Sequence, residues 1–225
     1  MKREFDFYEF TGIILPGLIV LLFVAFANSS LRAALFQDKV GLGDFGILIL
    51  LSYICGHLLQ ALSNLWEKAL WLPQGGLPTE WLRTKNNKLI SEGQREWVET
   101  RIPLILNVGL PKGISGVSRK EWSAITSQMY VAVQAAGRTA RIDTFNGNYG
   151  LLRGCVSAGI IVIILALYLG IHPLKEIIGW ALLMMAIACY RTQRFGVHYA
   201  KELFLQFAQL DGPPEKGSGN SEPIA

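Results

Sequence analysis

Four stretches of the chain carry no Asp, Glu, Lys or Arg: residues 10–31, 45–66, 154–174 and 177–190. The first three hold 22, 22 and 21 residues. A helix needs about 20 residues to cross a hydrocarbon core of roughly 30 Å. The fourth holds 14, which reaches only about 21 Å as a helix. It spans if Lys175 and Glu176 at one end and Arg191 and Arg194 at the other snorkel to the interfaces. The alternative is a shallow hairpin of the last two stretches. The pattern therefore predicts two membrane hairpins, with spans at about 10–31 and 45–66 and at about 152–172 and 176–191.

The segment between the hairpins has a different pattern. Pro73-Gln74-Gly75-Gly76-Leu77-Pro78 breaks the helix that continues from the second span. Ser91 with Gln94 and Ser118 with Glu121 have the spacing of capping boxes. They open one helix running to about Ile105 and another from Arg119 towards Phe145. Trp122, Ile125, Met129, Val133 and Ala136 mark the apolar stripe of the second helix. Asn146-Gly147-Asn148 either breaks that helix before the third span or lies inside a continuous one. Trp81, Trp97 and Trp122 argue that this segment is folded, since disordered tracts are poor in aromatics. After the fourth span, Phe195, Tyr199, Leu203, Phe207 and Leu210 recur at helical spacing. That stripe either extends the fourth helix or lies on the membrane surface.

The expected architecture is an all-α integral membrane protein: a four-helix transmembrane bundle with a mostly helical cytoplasmic insert between two hairpins. Residues 1–66 form an N-terminal lead, with interfacial Phe5, Phe7 and Tyr8, and the first hairpin. Residues 67–149 form the cytoplasmic subdomain. Residues 150–210 form the second hairpin and an amphipathic C-terminal helix, and 211–225 a disordered tail rich in Pro and Gly. Pro16-Gly17 predicts a kink in the first span, and Asn28-Ser29-Ser30 ends it. The two hairpins share no residue pattern, which argues against an inverted-repeat carrier.

Composition agrees with a bilayer. Hydrophobic residues make up 51% of the chain and charged ones 17%, with a mean hydropathy of +0.34; an ordinary soluble domain is about 25% charged. If the N-terminus is cytoplasmic, the outer loops hold only Arg32, Lys39 and Lys175 of the 21 basic residues. The positive-inside rule then places both termini and the middle segment in the cytoplasm of an inner-membrane protein. The net charge of +4 follows from that topology and gives no sign of specific nucleic-acid binding. The expected partners are the lipid bilayer and either further copies of the chain or a membrane or cytoplasmic protein.

Candidate chemistry is sparse. No Asp, Glu or Lys sits mid-span, which disfavours a coupled small-solute transporter. His57, in the second span, invites a metal, haem or titrating role. His172 lies at the opposite face and His198 beyond the fourth span, so a structural interhelical hydrogen bond is the expected role. Arg141, Phe145, Tyr149 and Arg153 recur every four residues, a basic-aromatic stripe at the inner interface. It suits lipid headgroups or a partner, or plain anchoring by snorkelling arginines. Arg191 and Arg194 are interfacial candidates at the fourth span. Cys55, Cys155 and Cys189 lie in separate apolar stretches and suggest no disulfide framework. No nucleotide loop, nucleophile elbow or metal-ligand spacing occurs, so no catalytic residue, metal or cofactor is expected. The leading expectation is a non-enzymatic sensor, effector or assembly subunit, oligomeric and pore-forming in one version. A membrane-bound enzyme acting on a lipid or nucleotide through Arg141, Arg153, His57 or His198 with Asp143 is the alternative, and a small-solute transporter the third.

Overall fold

The computed structural model describes residues 9–35, 42–84 and 88–210. The lead at Phe5, Phe7 and Tyr8, residues 36–41 and the tail 211–225 lie outside the described residues. Every regular element among the described residues is helical. A π-helical turn, Glu9–Ile14, runs into α1 (Leu15–Ala27); α2 (Ser29–Leu35), α3 (Leu42–Trp71), α4 (Glu92–Leu106), α5 (Arg119–Ala135), α6 (Ala140–Leu169) and α7 (Leu174–Ala208) follow. Three segments are long and apolar enough to cross a membrane: Phe10–Ala27, Phe45–Arg83 and Ala140–Leu169. Large apolar side chains such as Leu58, Leu65, Tyr168 and Trp180 are exposed on α3, α6 and α7. Outward faces of that kind suit hydrocarbon, not water.

The first span is shorter than its charge-free stretch. Asn28 takes extended backbone (φ −120°, ψ 111°) and its Oδ1 accepts from the N–H groups of Ser30 and Leu31, both at 3.0 Å. The side chain thereby caps α2 and ends α1 at Ala27. A π turn, Glu9–Ile14, comes just before Pro16, which stands in the first turn of α1. Pro16 has no N–H to give the Gly12 carbonyl four residues back. Gln60 Nε2 on α3 donates to that carbonyl at 2.5 Å instead.

The chain forms two compact units. One comprises the residues up to Leu77 with Ile142–Tyr199; the other comprises Pro78–Arg141 with the residues from Ala200 on. In the first unit, α1 and α3 approach at backbone distance through small residues. A Cβ on Gly17 would collide with the Ser52 carbonyl and lie 2.6 Å from Gly56 N. A Cβ on Gly56 would collide with the Ile13 carbonyl oxygen and lie 2.7 Å from its carbon. On α6, Gly154 seats the Pro16 ring. Membrane helices pack this way because close van der Waals contact, and not water release, holds them together.

In the second unit, both capping boxes form. Ser91 and Ser118 each accept from the N3 backbone, while the N3 side chain reaches back to the cap. The Ser118 hydroxyl and backbone N–H hold the Glu121 carboxyl below its ordinary range. Val98 and Ile102 of α4, Trp122, Met129 and Val133 of α5, and Leu203, Phe204 and Phe207 of α7 are fully buried. Trp122 lies 6.0 Å from Phe204 between ring centroids and donates to the Thr79 carbonyl at 2.7 Å. Arg95, almost completely buried, ties three segments. It donates to the Leu82 carbonyl (3.0 Å), Glu92 (3.0 Å) and Ser115 Oγ (2.8 Å). Arg95→Met leaves that carbonyl and hydroxyl without their donor, so it is expected to destabilise this unit by about 1–3 kcal/mol. Chemical denaturation followed by tryptophan fluorescence checks this, and an unchanged midpoint would refute the clamp.

One boundary here differs from the sequence expectation, and two open alternatives are decided. The helix opened by Ser118 stops at Ala135, not near Phe145, because Gly137 takes left-handed backbone (φ 70°) and Arg138 N closes back on Val133 O at 3.1 Å. Ala136, expected in the apolar stripe, is exposed. Of the two alternatives at Asn146-Gly147-Asn148, the structure takes the continuous one, inside α6. The C-terminal stripe likewise continues α7 as one helix.

Candidate functional site

The main concentration of buried polar groups lies in the first unit, between the C-terminal half of α3 and the start of the apolar part of α6. On α3, Gln60, Ser63 and Glu67 fall at helical spacing, so their side chains share one face. On α6, Tyr149, Arg153 and Ser157 do the same at four-residue intervals. The two faces meet in antiparallel order, with Glu67 opposite Arg153 and Ser63 opposite Ser157.

Arg153 is the hub. Its guanidinium donates to Glu67 Oε2 at 2.8 Å and to Gln60 Oε1 at 2.6 Å. The paired side chains are only 13% and 16% exposed. Arg153 Nε is buried without a hydrogen-bond partner in the protein. The other Glu67 oxygen accepts from the Tyr149 hydroxyl, which in turn accepts from Trp71 Nε1 at 2.9 Å. The guanidinium also lies 5.7 Å from the Tyr149 ring centroid. A neutral relay runs beside the ion pair: Trp66 Nε1 donates to Ser157 Oγ (3.0 Å), Ser157 and Ser63 share a bond of 2.7 Å, and Ser63 donates to Leu59 O (2.8 Å). Gln60 extends the network to the Gly12 carbonyl. One polar cluster thus joins the π turn, α3 and α6.

The sequence-predicted stripe is on one helix and splits by environment. Arg153 and Tyr149 turn onto α3. Phe145 packs against Phe195 and stacks with His198, centroids 5.5 Å apart. Arg141 is largely exposed and lies 3.7 Å from Glu202 within the second unit. On α7, Arg191 is exposed and sits over its own Phe195 ring at 4.9 Å; Arg194 is also exposed. His57 departs from the interhelical hydrogen bond expected of it. It is exposed and meets Tyr53 of its own helix edge-on at 4.5 Å, because Gly56 and Leu59, not His57, occupy the inward face of α3. No hydrogen bond or ring contact joins His57 or His198 to the Arg153 pair. On α7, burial and the Asp143 carboxylate push the Tyr199 phenol up.

Sequence reasoning missed Gln60, Ser63 and Glu67. The signal was present: three polar residues at helical spacing on an otherwise apolar helix. No group of three or more His, Cys, Asp or Glu side chains able to hold a metal occurs among the described residues. What the arrangement can do is bind helices together and set a register, since an ion pair this buried is costly to separate. Comparison with known proteins finds no matching family model, no matching curated protein and no matching solved structure.

Proposed function

We propose that this chain is a four-span inner-membrane protein with both termini and the inserted helical unit in the cytoplasm, acting as a non-enzymatic sensor, effector or assembly subunit. In this reading the cytoplasmic unit receives a signal or a partner protein and the membrane bundle responds, in the oligomeric case by opening a pore. One observation supports it above others. The single helix α7 carries the charge-free stretch 177–190 and, further on, Leu203, Phe204 and Phe207, which are buried in the second unit's core. A partner that repacks that core acts on the same continuous helix whose earlier part is read as entering the bilayer. The Glu67–Arg153 network gives the membrane unit a discrete packing arrangement against which such a push works.

The test is the mass of the nanodisc-purified complex together with dye efflux from proteoliposomes. The expected mass exceeds that of a single 24.9 kDa chain, through further copies or a bound protein. A bare monomer in tight vesicles refutes both the assembly and the pore.

A further inference from the structure

We propose that the groove between α1, α6 and α7 is a phospholipid site that selects an ammonium headgroup. Its volume is about 530 Å³. Ile19 and Phe23 of α1, Cys155 and Gly159 of α6, and Ala181 and Met184 of α7 are among its walls. Two of these three helices are apolar enough to cross a membrane, so the medium at the groove is hydrocarbon. From Ile177 to Ala188 its wall on α7 rises about 16 Å. That is about half the thickness of a roughly 30 Å hydrocarbon core, the depth of one leaflet. A single-leaflet acyl chain matches this length.

The headgroup preference comes from the end of the groove. Glu176 is the one charged residue on its walls, and Trp180, one turn further on, also lines it. At i, i+4 the two side chains share a helix face. A carboxylate beside an exposed indole is the pairing that recognises an ammonium, through charge and through the ring's negative face. Lys175, adjacent and exposed, supplies the cation for the phosphate of a zwitterionic lipid. An anionic headgroup without an amine would meet Glu176 unpaired. The inference rests on α7 being the fourth span but not on any signalling role.

The experiment is native mass spectrometry of the full chain released from micelles, titrated with phosphatidylethanolamine or phosphatidylglycerol. One retained phosphatidylethanolamine per chain is expected, bound about tenfold more tightly than phosphatidylglycerol. Glu176→Gln changes an exposed side chain and is expected to erase the preference while leaving chain binding. Ala181→Phe fills the groove and is expected to remove the retained lipid altogether. Equal retention of both lipids by the wild type overturns the headgroup assignment. Retention unaffected by Ala181→Phe overturns the site, as does a lipid-free dimer, which would assign the groove to a second copy. Labelling of Trp180→Cys by a water-soluble maleimide at a rate matching a soluble-loop cysteine would instead show that α7 does not span, a failure separate from loss of headgroup choice.

Discussion

Arg153→Met is expected to destabilise the membrane unit by about 3–5 kcal/mol, the range for stripping one partner from a buried ion pair. The change removes the donors to Glu67 and Gln60 and leaves a carboxylate between helices with only the Tyr149 hydroxyl to solvate it. Both charged side chains are more than four-fifths buried, so solvent screening recovers little of the loss. Arg153→Lys keeps the charge but not the planar fork that reaches two acceptors at once, so it should fall between wild type and methionine. The decisive variant is the double one. Glu67→Gln with Arg153→Met removes both charges, and most of the stability should return, because a neutral amide still accepts from Tyr149. Thermal unfolding in nanodiscs followed by fluorescence reads this directly, since Trp71 donates to Tyr149 and Trp66 to Ser157. A double variant as unstable as the sum of its singles would mean that the charges are not coupled.

The reason this pair escaped the sequence reading is instructive. Arg153 was legible as a basic residue at the end of an apolar stretch, where arginines ordinarily snorkel outwards. Nothing in its own helix tells whether that end faces lipid or another helix. The answer lies on α3, where Gln60, Ser63 and Glu67 prolong an apolar helix with a polar face. Glu67 lies just past a charge-free stretch and so reads as an edge, although α3 runs on to Trp71. What periodicity does carry is clear at the two capping boxes and in the Trp122–Val133 stripe, both local features of a helix repeat. The break between α5 and α6 was not legible because one left-handed glycine, Gly137, outweighed the helical propensity on either side of it.

The same limit explains the small residues. Gly17, Gly56 and Gly154 lie on different helices, and nothing in the sequence of one helix names its partner on another. In the structure the π turn at Glu9–Ile14 and the missing N–H of Pro16 expose the Gly12 carbonyl, and Gln60 reaches it. The polar network and the glycine crossing are therefore one construction: the helix that supplies Gln60 is the one held at backbone distance by Gly56.

Gly56→Ala should accordingly damage the bundle out of proportion to one methyl group, by about 3 kcal/mol, the upper end of ordinary overpacking. The added carbon meets the Ile13 carbonyl, which is backbone and cannot rotate away. To admit it, α1 must move off α3, and that movement lengthens the Gln60 bond to Gly12. Gly46→Ala on the same helix is the control. A Cβ there meets nothing within 4 Å, and alanine is the better helix former by about 1 kcal/mol, so its unfolding temperature should hold or rise. Cross-linking of cysteines placed at Val20 and Leu59, members of one buried cluster with Ala158, by a bifunctional maleimide long enough to span that cluster separates displacement from simple unfolding. Efficient cross-linking in Gly46→Ala and its loss in Gly56→Ala is the expected pair of results. Equal stability and cross-linking in both variants would show that α1 and α3 do not meet at backbone distance, and the route from Gly12 through Gln60 to Arg153 would then have no anchor on the first span.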